Sequence, residues 1–534
     1  MRATTICLSL IFPLCLGAQV RPEDIVKGPG DNWLTYAGDY QGKRHSALTQ
    51  ITVDNAPSIV PKWVFRVPKA NRLQASPLVY EGVMYVTGTN ELFALDARTG
   101  RRIWHYRDTR AKKETVNRGA AILGDRVFFV TGDVHCVALD RRTGGVLWDK
   151  QYGRIEDGLF GSAAPLAVKD RVIVGVGGSD TGMRGYIAAL SAATGDELWR
   201  TYTVPAKGEK GSESWQNYID YGGGGTWLSG TYDPELNTLY WPTGNPWPDF
   251  YGGDRAGDNL YTCSLLALDA DTGKMKWYFQ FTPHDTHDWD AQAWPVLLDL
   301  PVNGKPRKLV MHANRNGFYY MLDRVTGEFL RATKLVDKLD WASGVDAKGR
   351  PVLLPGKDPT PNGNRACPGV RGATNWMSPT YMPSTGWMYI VTLEQCDLYT
   401  SSSKEPEPKK SFSGGGAGPK RNEVGQFFLR AYDPKTGERK WEYPMTGPGE
   451  SWSGTVSTEG GVIFFGDDDG QLVAVDARNG KHLWHFQMGE GLNASPVTYS
   501  VEGKQFVAIA ASGGIYSFGL FEPAQSVPVL KMIK

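Results

Sequence analysis
One pattern recurs along the chain and constrains its fold more than any other feature. An apolar residue precedes Asp-x-x-Thr-Gly, three residues follow, and then a Trp. It begins at Asp96, with Gly100 and Trp104, and returns at Asp140 with Trp148, Ser191 (Ser for Asp) with Trp199, Asp269 with Trp277, Asp433 with Trp441 and Asp476 (Asn for Thr) with Trp484. A seventh copy, at Asp323 with Gly327, lacks the Trp. Each copy follows an apolar or alternating run, such as residues 83–86 or 127–130, which reads as a strand entering a turn. Gly permits positive φ in that turn, while Asp and Thr can hydrogen-bond its backbone. The Trp on the following strand offers a flat surface between neighbouring sheets.

The leading residues of the copies are 44, 51, 78, 54, 110 and 43 residues apart. Intervals of about 40–50 residues fit one four-stranded sheet per repeat. The interval of 78 carries an insertion, and the one of 110 has room for two blades and a loop. Seven copies and a hidden one near 375–400 predict an all-β, eight-bladed β-propeller with tryptophan-docking repeats. It would occupy residues 19–534 as one domain, where length alone suggests three or four. Trp63, in Pro61-Lys62-Trp63-Val64-Phe65, is expected on an N-terminal strand that helps close the ring. Two stacked sandwiches are the alternative. Residues 401–422, rich in Ser, Gly, Pro and Lys, read as a solvated loop.

Residues 1–18 read as a secretory signal: Met1-Arg2, an apolar run from Ile6 to Leu16, then Gly17-Ala18. The run is too short to span a bilayer, and no later apolar stretch reaches that length, so no membrane span is expected. Lys and Arg number 58 against 57 Asp and Glu, so the basic footprint of a nucleic-acid binder is missing. Cys136, Cys263, Cys367 and Cys396 remain after the signal, and an oxidising compartment permits disulfides among them. No C-x-x-C-H motif for covalent haem occurs.

Three clusters can carry chemistry. Gly222-Gly223-Gly224-Gly225-Thr226-Trp227 lets backbone approach a ligand and follows it with a stacking plane; a Gly-rich turn with a core Trp is the plainer reading. Thr243-Gly244-Asn245-Pro246-Trp247 adds an amide oxygen suited to a hard cation. Thr282-Pro283-His284-Asp285-Thr286-His287-Asp288-Trp289-Asp290 packs three carboxylates and two histidines into one segment. Asp288 and Asp290 share a face if it is extended, and the oxygen donors favour a hard cation over zinc. A solvent-facing charged turn is the alternative. Gly177-Gly178-Ser179-Asp180-Thr181-Gly182 can present N–H groups to an anion, with Asp180 as a further metal oxygen. Arg118 and Arg315 are single cationic candidates.

In this order the pieces resemble the pyrroloquinoline quinone (PQQ)-dependent alcohol dehydrogenases, of the soluble periplasmic methanol/ethanol type. The resemblance runs from Gly38-Asp39-Tyr40-Gln41-Gly42-Lys43-Arg44-His45-Ser46-Ala47-Leu48 to Gly454 and implies an eight-bladed propeller. It implies that Trp227 lies under the PQQ ring and that Arg118 and Thr131 meet its carboxylates. Gly178 and Ser179 would meet it through the backbone, Asn375 would make a polar contact, and Trp452 would line the far side. Gln74 falls where the family usually has Glu. Asp180 (usually Glu), Asn245, Asp288 and Asp290 match metal positions. The implied reaction is oxidation of a small alcohol by hydride transfer to PQQ, with Asp288 taking the alcohol proton and Arg315 polarising the quinone. Asp290 favours a lanthanide, because a trivalent ion gains from an added anionic ligand; calcium is the alternative. Cys367 and Cys396 match a family disulfide, with buried free thiols as the default for Cys136 and Cys263. The family's adjacent cysteines above PQQ are replaced by Lys112-Lys113. A soluble cytochrome c is the implied electron acceptor, a periplasmic location is implied, and a homodimer is left open. A sugar or polyol dehydrogenase of the same cofactor class, or a non-enzymatic propeller scaffold of outer-membrane assembly, are the other readings.

Overall fold
The computed structural model describes residues 19–522 except 218, 405, 406, 408, 421, 422 and 448, so the expected signal at 1–18 lies outside the described residues. Among the described residues there is almost no helix, and there are seven four-stranded sheets and one of five strands. Leu78–Tyr80, Val83–Gly88, Glu91–Asp96 and Arg102–Arg107 show the plan, each strand pairing antiparallel with the next. Glu91–Asp96 is buried along almost its whole length, whereas Arg102–Arg107 alternates towards solvent as the sheet's outer strand. Apolar side chains of adjacent sheets interleave between them, and the core is this ring of inter-sheet layers.

The repeat builds the contact between sheets. On five outer strands the Trp donates its indole N–H to a backbone carbonyl just beyond the next copy's strand: Trp104 to Arg141 at 3.0 Å, Trp148 to Ala192 at 3.2 Å, Trp199 to Ala270 at 3.1 Å, Trp277 to Arg324 at 3.3 Å and Trp441 to Ala477 at 3.0 Å. The turn Gly of that next copy lies flat on the indole. A Cβ on Gly144 would stand 2.7 Å from Trp104 Cε3, and its φ of +73° suits Gly alone. The copy at Asp323 has Arg331 where the others have Trp, and its guanidinium donates instead to the carbonyls of Pro434 and Lys435 in the next turn.

Two details differ from the sequence reading. Among the described residues, no separate four-stranded sheet lies near 375–400. Thr380–Met382 and Trp387–Glu394 join Gln426–Tyr432 and Arg439–Pro444 in the sheet of the Asp433 copy, so the long interval holds one sheet and its insertions. The sheet left over closes the ring. Ile59–Arg66 pairs antiparallel with Gly514–Leu520, beside Val497–Val501 and Lys504–Ala511, and Trp63 donates to the Ala97 carbonyl at 3.1 Å. This sheet has no Asp-x-x-Thr-Gly turn, so the pattern could not reveal it. The stretch 401–422 is also more than a solvated loop: Gly415–Gly418 pairs with Asp397–Ser401, which pairs with Asn364–Ala366. The Cys367–Cys396 disulfide anchors this insertion, and Cys136 and Cys263 are free and buried. No helix among the described residues is long and apolar enough to cross a membrane.

Candidate active site among the inserted loops
Loops from distant parts of the chain meet at one site. Gly223 bridges to Arg184 on one side and Pro246 on the other, which joins the three Gly-rich segments. Ser179 Oγ accepts the Gly225 N–H at 2.9 Å, and the Gly244 N–H donates to the Gly225 carbonyl at 2.7 Å. A Cβ on Gly244 would lie 2.9 Å from both Asp290 Oδ1 and Ser179 Oγ, so only Gly allows this approach. Gly178 precedes a short turn, Ser179–Thr181, with φ +124°.

The acidic segment is shaped by Asp285. Its carboxylate accepts the N–H groups of His287 at 3.2 Å and Trp289 at 3.0 Å. Trp289 is fully buried and donates to the Gly369 carbonyl at 3.1 Å, while Asp288 and Asp290 face the site. Asp288 has φ +58°, an uncommon conformation for a residue with a side chain and one that gathers at functional sites. The histidines turn elsewhere: His284 bonds the Gly257 carbonyl, and His287 stacks on Trp289 and bonds the Lys357 carbonyl. The zinc alternative therefore has no imidazole at the site.

Arg315 lies between the two acids, with Nη2 3.3 Å from Asp288 Oδ2 and Nη1 3.3 Å from Asp290 Oδ2. Its Nη2 also donates to the Val370 carbonyl at 2.6 Å. Asp290 accepts the Asn245 N–H on Oδ1 and the Trp227 indole N–H on Oδ2, the latter at 2.9 Å. Asp180 is exposed and Asp288 partly exposed, so both carboxylates open onto the space beside the loops. Burial pushes the carboxyls of Asp180, Asp288 and Asp290 above the ordinary range, that of Asp290 to about 6, and Arg315 opposes the shift. Asp249 is raised as well, by burial and then by Asp180, Asp288 and Asp290. Burial, with like charge as a lesser cause for Asp249, Asp288 and Asp290, disfavours the ionised carboxylates, and a cation among them would favour that form.

On the other side of Trp227, the Arg118 guanidinium lies 4.6 Å from its ring centre and 5.3 Å from that of Trp376. Trp376 stacks in turn on Trp452 at 6.1 Å. Arg118 donates to Ser162 Oγ at 3.0 Å, and burial lowers its pKa to about 10. Gln74 is buried nearby in sequence order to the Ser76–Gly119 bridge, which ties its segment to that of Arg118. Asn375 turns on its own loop, its Nδ2 donating to the Arg371 carbonyl at 3.0 Å. Thr131 is the outlier: its hydroxyl oxygen accepts the His135 N–H at 3.3 Å within its own turn. The backbone N–H groups of Lys112 and Lys113 are held by the Asp133 carboxylate, which fixes this loop without a disulfide. Sequence reasoning missed Asp249, Ser162 and Trp376, and counted Asp285 among the acids without its orienting part; an Asp four residues after Asn245 was the only signal for the first.

Fold and site together define a quinoprotein of the propeller class. The family model for the PQQ β-propeller domain of glucose/ethanol/alcohol dehydrogenases matches residues 33–334 and 445–507, and the chain belongs to this family. It is 36% identical to quinoprotein alcohol dehydrogenase PedH of Pseudomonas putida, over 93% of this chain and 89% of that one. It is 34% identical to 1-butanol dehydrogenase (cytochrome c) of Thauera butanivorans, over 91% of this chain and 75% of that one. The structure of a europium-containing methanol dehydrogenase superposes with a TM-score of 0.87 at 30% identity, covering 93% of this chain and 99% of that one.

The residues present fit such a cofactor and a cation. Among the described residues, Arg118 Nε and Arg315 Nε are buried donors without a hydrogen-bond partner, which the oxygens of a flat anion can satisfy, and Gln74 Oε1 is a buried acceptor that an N–H of such a ring can meet. The surplus of carboxylates beside the Asn245 amide suits a hard cation. No three His, Cys, Asp or Glu side chains among the described residues already stand in ligating array. Arg315 occupies the space between Asp288 and Asp290, and the fourth donor is an amide.

Proposed function
We propose that this chain is an eight-bladed, single-domain quinoprotein, residues 19–534, that oxidises primary alcohols to aldehydes in the periplasm with PQQ and one metal ion. The observation that carries the reading is the open carboxylate of Asp288, held at φ +58° with Arg315 3.3 Å away and other acids around it. PQQ supplies the two-electron acceptor, and the metal a Lewis acid beside it. Trp227 offers the flat face, kept in plane by its indole bond to Asp290. Arg118 and Gln74 turn unpartnered polar atoms to the cofactor. Thr131 retains a hydroxyl proton to donate, and Gly178, Ser179, Asn375 and Trp452 complete the lining. Asp180, Asn245, Asp288 and Asp290 hold the metal.

Asp288 takes the proton from the substrate hydroxyl. The guanidinium of Arg315 and a cation among the acids both favour the ionised form this task needs. Arg315 also faces the charge that develops on the accepting oxygen. A lanthanide is favoured by Asp290 and by the europium-containing relative; calcium is the alternative. Electrons pass to a soluble cytochrome c, an acceptor named for the butanol relative. A second reading, a sugar or polyol dehydrogenase, draws on the glucose enzymes that the family description includes. Asp288→Asn tests the assignment of the base. Turnover should fall by about 10²–10⁴-fold while PQQ remains bound. Turnover within tenfold of the parent would remove Asp288 from that role.

A further inference from the structure
Asp249 has no part in the reading above. It ends the segment Asn245-Pro246-Trp247-Pro248-Asp249 and is 4% exposed. Its Oδ1 accepts the Asn245 Nδ2–H at 2.8 Å, and the same Nδ2 lies 3.3 Å from the Pro246 carbonyl. These two acceptors hold the nitrogen end of the amide, so Asn245 Oδ1 is turned away from them. Only that oxygen can ligate a hard cation; an amide nitrogen cannot. Asn245 is tied to the acids from its backbone as well, because its N–H donates to Asp290. The Asp249 carboxylate interacts with Asp180, Asp288 and Asp290. The guanidinium packed nearest, Arg255, donates to Asn259 Oδ1 and to the carbonyls of Pro248 and Asp285.

We propose that Asp249 is a positioning and metal-selecting residue: it turns the Asn245 carbonyl oxygen to the cation, and its charge biases the site towards a trivalent ion. A carboxylate at a fixed distance attracts a trivalent ion half again as strongly as a divalent one, so each added acid favours the former. Partners that orient a ligand in this way are worth about 10–100-fold in metal affinity. The inference rests on the metal site of the proposed function.

The test is titration of the metal-free full chain with terbium, read by tryptophan-sensitised luminescence, and with calcium in competition. Asp249→Ala should weaken terbium binding by about 10–100-fold. Asp249→Asn keeps the shape and an acceptor oxygen but removes the charge. It should bind better than Asp249→Ala and show a terbium-to-calcium affinity ratio at least about fivefold below that of the parent, as loss of one carboxylate predicts. The thermal midpoint of the metal-free Asp249→Asn chain should match that of the parent. If Asp249→Ala does not fold, Asp249→Asn decides through the ratio alone. A parent that binds terbium while the Asp249→Asn ratio is unchanged overturns the role of Asp249. A parent that binds neither ion overturns the metal site itself and this inference with it.

Discussion

Two kinds of indole bond divide the molecule. Around the rim, Trp104, Trp148, Trp199 and Trp441 donate to backbone carbonyls of the next sheet. At the site, Trp227 donates to the side chain of Asp290. A backbone carbonyl is present whatever residue carries it, so the rim contact needs only Trp and the Gly that lies on it. It can therefore be repeated, and even replaced by Arg331, without a matching change elsewhere. The Trp227 bond needs two particular side chains 63 residues apart. The rim is a joint used many times, and the site is a single arrangement that depends on each of its members.

Truncation in the rim should give the largest effect and leave the site unaltered. Trp148→Ala removes a buried indole from the layer around Phe128 and should cost about 3–5 kcal/mol in denaturant unfolding. Its metal affinity, measured where the variant is folded, should equal that of the parent. A fall in both would break the distinction. The next effect joins the two regions. His312 lies two residues before Asn314 on the strand that leads to Arg315; it is buried against Phe281, and burial lowers its pKa to about 4. The unfolded chain binds this proton below about pH 6.5 and the native chain only near 4, so stability present above 6.5 is lost as pH falls through that window. The contribution is on the order of 3 kcal/mol, and His312→Gln should flatten that part of a pH–stability profile. The last prediction applies one substitution to both regions. Trp148→Phe loses a neutral hydrogen bond and should cost about 1 kcal/mol of stability. Trp227→Phe keeps the stacking face but frees a carboxylate oxygen, and should be read as about a tenfold change in metal affinity. Equal effects of the two on stability, with metal affinity unmoved, would make Trp227 another rim joint.

The same division decides what could be read from the sequence. The repeat signals its own turns, so most sheets and the closing role of Trp63 were legible. The C-terminal strands that Trp63's strand joins were not, because that sheet has no turn of this type. The misplaced copy near 375–400 follows from taking interval length as a count of sheets, when the extra residues form an insertion with its own small sheet. At the site, residue types with evident chemistry, Asp288, Asp290, Asn245, Arg315 and Trp227, could be picked out and do converge. Asp249 and the orienting part of Asp285 could not, since both act through hydrogen bonds to neighbours whose direction only the folded loops determine. Thr131 came from the resemblance alone, and no pattern in the sequence showed that its oxygen accepts the His135 N–H.

The most direct test of the account is reconstitution of the metal-free chain with PQQ and either lanthanum or calcium, followed by dye reduction with a panel of primary alcohols and sugars. The account predicts PQQ binding and alcohol-dependent reduction, faster with lanthanum than with calcium. No reduction of dye with either metal, in a folded chain that also fails to bind PQQ, would contradict it.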